Sequence, residues 1–143
     1  MNCPATWVRS IAQHVKTLAP TKLFVDGTYG INKTHLSIPE VDIYSDHFYP
    51  VDLTKLRSGI EAVRAAGKVY LAGEYDWVGS GGGDKLEDFF DILETSEAVA
   101  GDTFWSLFGR NGVNCSVSFL LLSLSFFHPF KLTAYMILGP RHS

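Results

Sequence analysis

The run Lys68-Val-Tyr-Leu-Ala-Gly-Glu-Tyr-Asp-Trp77 decides how the chain is read. Val69 to Ala72 is apolar without clean alternation, the pattern of a strand covered on both faces, as strands of parallel sheets are. Gly73 leaves room beside Glu74, and Tyr75 and Trp77 bracket Asp76. The run therefore delivers one carboxylate, Glu74, to a strand end among aromatic side chains. Parallel α/β barrels carry their catalytic groups at such strand ends. A glutamate that only caps the backbone or pairs with a neighbouring cation fits the same residues equally well.

Upstream of this run, Asp52 is placed to cap a helix whose Leu53, Leu56, Ile60 and Val63 form a stripe, and Gly67 is placed to end it at C′. Before that helix, Val41-Asp-Ile-Tyr44 reads as a strand opening into Ser45-Asp-His-Phe-Tyr-Pro50. Lys22-Leu-Phe-Val-Asp26 reads as an earlier strand. Its continuation, Asp26-Gly-Thr-Tyr-Gly30, is a turn-prone stretch that holds Tyr29 at the strand's C-terminal edge, with ordinary turn chemistry accounting for Asp26. A helix over about Pro4 to Leu18 comes first: proline suits the opening turn, Trp7, Ile11, Val15 and Leu18 share a face, and Pro20 stops it.

Downstream, Gly79-Ser-Gly-Gly-Gly83 is a flexible loop without the spacing of a phosphate-binding loop. Asp84 is expected to cap the next helix, with Glu87 at the capping-box position and Leu86, Phe89, Phe90 and Leu93 on the buried face. Asp102-Thr-Phe-Trp-Ser-Leu107 reads as the last strand. Strands alternating with helices predict an α/β fold with a parallel sheet and right-handed crossovers. Four strands of this kind make half of a (β/α)8 TIM barrel, which typically needs about 250 residues.

The 143 residues, 46% hydrophobic and 19% charged, suit a globular domain. Twelve basic against fifteen acidic residues give a net charge of −3, which excludes the basic surface of a nucleic-acid binder. Aromatic residues make up 13% of the chain, enough to supply stacking platforms beside the core. The two cysteines, Cys3 and Cys115, leave the redox compartment open. No basic stretch followed by an apolar one opens the chain, so no secretory signal is read.

From Val113 the character changes. Ser116 to Phe127 is an uncharged run of Ser, Leu and Phe, broken by His128-Pro129 and Lys131 well short of the roughly 20 apolar residues of a membrane span. A buried strand or an irregular apolar tail is the expectation, with the aggregation tendency of an uncharged, β-prone run.

Three strand ends then supply a site: His47 and Tyr49 after one strand, Glu74 after the next, and Trp105 on the last. In a barrel these ends meet at one mouth. Retaining glycoside hydrolysis needs a carboxylate nucleophile and a second carboxyl group about 5–5.5 Å away that acts as acid and then base. Glu74 can be the nucleophile. A neutral His47 and the Tyr49 hydroxyl can donate hydrogen bonds that keep it ionised and aimed. Trp105 offers a flat apolar face for a pyranose ring.

Residues 4–112, about three quarters of the chain, resemble the C-terminal half of glycoside hydrolase family five enzymes, most closely the fungal endo-β-1,4-mannanase-like members. The resemblance is carried by Lys22-Leu-Phe-Val-Asp-Gly-Thr-Tyr-Gly30, Val41-Asp-Ile-Tyr-Ser-Asp-His-Phe-Tyr-Pro50, Gly73-Glu-Tyr-Asp-Trp77 and Phe104-Trp-Ser-Leu-Phe108. It implies barrel strands five to eight with their helices. Glu74 would be the strand-seven nucleophile, His47 and Tyr49 the strand-six pair, and Trp105 the sugar-stacking tryptophan of strand eight. Tyr29 stands at the edge of the site, and Trp77 serves either a neighbouring sugar subsite or packing. The substrate implied is a β-1,4-linked polysaccharide, mannan first and glucan as the alternative. No cofactor or metal is called for, no nucleic-acid or membrane partner is expected, and the family as a whole is secreted.

The departures from the family pattern are also informative. The family's acid/base glutamate follows an asparagine on strand four, and no Asn-Glu pair occurs in this sequence. The chain is therefore expected to be an inactive piece of a hydrolase, or a remnant that only holds sugar, prone to self-association. Residues 1–112 form the family domain and 113–143 a tail foreign to it. We take Val117 to Leu138 as a translated intron, since its codons permit splice donor, branch and acceptor signals; spliced transcripts that retain those codons would refute this.

Overall fold

The computed structural model describes residues 3–77 and 81–104. Its elements in order are α1 (Ala5–Leu18), β1 (Val25–Asp26), β2 (Ile43–Phe48), α2 (Leu53–Ala65), β3 (Val69–Tyr75), α3 (Leu86–Thr95) and β4 (Val99–Asp102). The four strands form one parallel sheet in the order β1-β2-β3-β4. Sequential order with right-handed crossovers leaves the connecting helices on the same face, as in a singly wound barrel; a doubly wound sheet reverses direction part-way. The α/β class and parallel sheet expected from the sequence are what the structure shows.

The two faces separate cleanly by row. Asp26, Tyr44, Tyr70 and Val99 are cross-strand neighbours and all are buried, on the face that carries the helices. Tyr70 lies against Gly59 of α2, while Phe48 and Tyr75 pack on Phe89 of α3. The next row, Val25, Ile43 and Val69, projects to the opposite face, and there Val25 and Val69 are exposed. No helix covers this second face among the described residues.

Local chemistry explains α2. The Asp52 carboxylate accepts the Lys55 amide hydrogen at 2.8 Å, and Leu56, Ile60 and Val63 turn inward with Gly59. Gly67 takes the left-handed φ of +66° that its position after the helix requires.

Other expectations are corrected. β2 runs on to Phe48 instead of ending at Tyr44, so Asp46 and His47 are strand residues. β4 is Val99–Asp102, starting earlier than the stretch read from Asp102 to Leu107; Trp105 and the rest of that stretch lie outside the described residues. Asp84 does not cap α3, whose N-cap is Lys85 without a side-chain bond; its carboxylate instead accepts the Leu53 amide at 2.7 Å, closing the start of α2. On α1 the buried residues are Val8 and Ala12, whereas Trp7 and Leu18 of the expected face are 57% and 73% exposed and Ile11 is exposed too. The stripe is there, but among the described residues nothing lies opposite it. The apolar tail and Cys115 fall outside the described residues.

Candidate active site

Glu74 reaches the uncovered face of the sheet through an irregularity in β3. The register pairs Asp46 with Ala72 but His47 with Glu74, so Gly73 is an extra residue on β3. Regular alternation would put Glu74 on the helix face beside Ala72's row. The bulge shifts the phase by one, leaving Tyr75 against Phe89 and bringing Glu74 beside His47. Gly73 is the residue that allows this, because a Cβ there would fall 1.9 Å from Ser45 Oγ.

The Tyr49 hydroxyl donates to Glu74 Oε2 at 3.2 Å, and His47 Nδ1 lies 3.7 Å from the same oxygen, within ion-pair reach though beyond hydrogen-bond length. The Glu74 side chain is 32% exposed, so it is open to a ligand. Burial, the charge of Glu74 with the hydrogen bond to it, and the charge of Asp76 push the Tyr49 phenol up to about 12. Tyr49 is therefore a fixed donor to Oε2 of Glu74 across the neutral range.

A second group of residues supports this pair from beneath. Asp46, 1% exposed, accepts two amide hydrogens on Oδ1, from Gly30 at 2.7 Å and from His47 at 2.7 Å, and the same oxygen forms an ion pair with Lys55 Nζ at 2.8 Å. Lys55 also donates to the His47 carbonyl and lies 4.0 Å from the centroid of the Tyr29 ring. That ring meets His47 edge-on at 6.2 Å and is otherwise well exposed. Sequence reasoning missed Lys55, since a lysine in a helix's first turn ordinarily reads as solvated; its only signal was the spacing that puts it one turn inside a helix directly after the site strand.

Of the expected site residues, the structure brings Glu74, His47, Tyr49 and Tyr29 together. Trp77 is 45% exposed and tilted on Phe104 at 5.8 Å. Trp105 lies outside the described residues. Asp26 does make the expected turn, accepting the Thr28 amide at 3.3 Å, but its other oxygen bonds the buried His35 Nδ1 at 2.7 Å. His35 Nε2 in turn meets the Cys3 carbonyl at 2.9 Å, so this pair ties the N-terminal segment to β1 rather than serving the site. Among the described residues no three His, Cys, Asp or Glu side chains converge as metal ligands, and no helix is long and apolar enough to cross a membrane.

No family model matches the chain, and no curated protein does. Solved structures do. An endo-beta-1,4-mannanase from Thermotoga petrophila is similar over 71% of this chain and 30% of its own, at 17% identity with a TM-score of 0.53. A hyperthermostable endo-1,4-beta-D-mannanase from Thermotoga petrophila RKU-1, solved with maltose and glycerol, is similar over 71% of this chain and 39% of its own, at 21% identity and the same TM-score of 0.53. The chain thus spans between 30% and 39% of the length of these proteins. The likeness is one of fold: the parallel βα sheet matches part of a TIM-barrel enzyme.

Proposed function

We propose that the chain carries part of the active site of a retaining glycoside hydrolase of family five, of the fungal endo-β-1,4-mannanase type, acting on β-1,4-linked mannan. The observation that carries this reading is the convergence of Tyr49 and His47 on one oxygen of Glu74, at the C-terminal ends of adjacent parallel strands and on the face that carries no helix among the described residues. The mannanase fold likeness supports it. On this reading β1 to β4 are barrel strands five to eight.

Glu74 is the nucleophile in this scheme. Its free oxygen attacks the anomeric carbon, the bond to the leaving oxygen breaks, and a glycosyl ester forms on Glu74. Tyr49 and His47 hold the carboxylate in place, Tyr29 flanks the sugar, Trp105 stacks on a sugar ring, and Trp77 serves either a neighbouring sugar or packing. Departure of a sugar alkoxide also requires a proton from a second carboxyl group. Asp46 is a poor candidate for that acid, because it is buried and its Oδ1 already accepts two amide hydrogens and pairs with the Lys55 ammonium. With no Asn-Glu pair to supply the family's acid/base, the 143-residue chain is expected to form the ester from an activated sugar without turning over mannan.

An aryl β-mannoside, whose leaving group departs without protonation, tests this. The expected result is a slow release of phenol in at most one equivalent, with a mass increase of one hexose on the peptide that contains Glu74 and none in Glu74→Gln. Steady hydrolysis of an unactivated manno-oligosaccharide, or a label on another residue, would refute the scheme.

A further inference from the structure

We propose that Lys55 is a positioning residue that locks Tyr29 and the end of β2 into one rigid wall of the carbohydrate site; this rests on the reading of the site given above. The two parts of that wall come from segments far apart in sequence. Tyr29 sits on the turn after β1, and His47 on β2 beside Glu74. Three interactions of the single Lys55 ammonium join them. It bonds Asp46 Oδ1 at 2.8 Å, the same oxygen that takes the Gly30 amide next to Tyr29 and the His47 amide next to Asp46. It bonds the His47 carbonyl. It also lies 4.0 Å from the Tyr29 ring centroid, inside cation–π range.

The ring needs this hold because it is 67% exposed, and little else restrains it beyond the edge contact with His47. With the ammonium against one face, the opposite face is left for a sugar's C–H surface. A ring already ordered in the free protein loses less rotamer freedom when the sugar binds, which is how positioning raises affinity. Lys55 is itself anchored at both ends, its amide held by the Asp52 carboxylate at 2.8 Å and its ammonium lying 4.9 Å from the centroid of the buried Phe48 ring, so the wall is referred to the helix start and the core.

The test uses the full chain with mannotetraose as probe, followed by NMR. In the free wild type, the Lys55 ε-methylene signal is expected upfield of its usual position because of the Tyr29 ring current, and Tyr29→Leu abolishes that shift. Lys55→Met is expected to weaken mannotetraose binding about three- to tenfold. Lys55→Arg, which keeps a cation over the ring and a donor for Asp46, is expected to restore it to within about twofold. Lys55→Met in the Tyr29→Leu background should cost clearly less affinity than in the wild type, since part of its effect is exerted through that ring. An unshifted Lys55 signal, wild-type affinity in Lys55→Met, or additive losses in the double variant would each overturn the proposal. Should Lys55→Met fail to fold, the ring-current arm with Tyr29→Leu decides it, because that substitution leaves the Asp46 pair intact. A wild type that shows the shift but binds no mannotetraose would refute the carbohydrate reading instead.

Discussion

Glu74 owes its position to a residue with no side chain. A methyl group on Gly73 would meet Ser45 Oγ at 1.9 Å, a contact that forces β2 and β3 apart at the point where His47 and Glu74 pair. Gly73→Ala is expected to lower stability by about 1–3 kcal/mol, the usual cost of overpacking, and to slow labelling of Glu74 by the aryl mannoside. Adding Ser45→Gly should recover most of both losses, because it clears the clashing atoms; thermal melts and labelling rates of the two single variants and the double one would show whether the effects are coupled. Tyr49→Phe tests the other support. Removing a donor to an ionised carboxylate, at a group 40% exposed, is expected to slow labelling about tenfold while melting stays near wild type. A large drop in melting temperature with unchanged labelling would make Tyr49 a packing residue.

At the scale of the elements, the tyrosines of the sheet set the alkaline limit. Burial, together with nearby carboxylates, raises Tyr44 on β2 to about 12 and raises Tyr70 and Tyr75 on β3 further. A folded pKa above the unfolded value of 10 means the folded chain keeps protons that the unfolded chain has released. That contribution is fully present below pH 10 and is lost as pH rises through about 12, so melting temperature should fall steeply across this window while Tyr44, Tyr70 and Tyr75 become phenolates with unfolding and not before. Ring signals of Tyr44, Tyr70 or Tyr75 that titrate near pH 10 in a chain still folded, followed by NMR, would contradict it. Much of this layer was legible in the sequence: Asp52 and Gly67 bound α2 as their chemistry predicts, and strands alternating with helices announce the parallel sheet. The Asp84 cap was misplaced because its spacing suits a capping box, while only the fold brings the Leu53 amide to it. In the site, the motif stretches around His47, Tyr49 and Glu74 marked those residues, whereas the phase shift at Gly73 and the hub at Lys55 depend on register between strands, which a single strand's sequence does not encode.

For the molecule as a whole, the open question is what faces the uncovered side of the sheet and the outer side of α1. Val25 and Val69 lie exposed in one row across the sheet, and Trp7, Ile11, Leu18 and Leu23 add apolar surface around the N-terminal helix. Large exposed apolar patches are uncommon on proteins that stay monomeric, and β1, paired on one side only among the described residues, offers a backbone edge to other strands. The net charge of −3 gives little repulsion against this. We therefore expect the 143-residue chain to self-associate at micromolar concentrations, with sedimentation coefficients that rise with loading. If apolar contact drives this, Trp7→Lys with Leu18→Lys should shift the equilibrium toward monomer without lowering the melting temperature, since neither side chain belongs to the core. If strand pairing at β1 drives it, those substitutions should do little and Val25→Pro should act instead, because proline removes a backbone donor at the edge. A concentration-independent monomer that melts cooperatively would show that the open face is covered by some part of the chain itself.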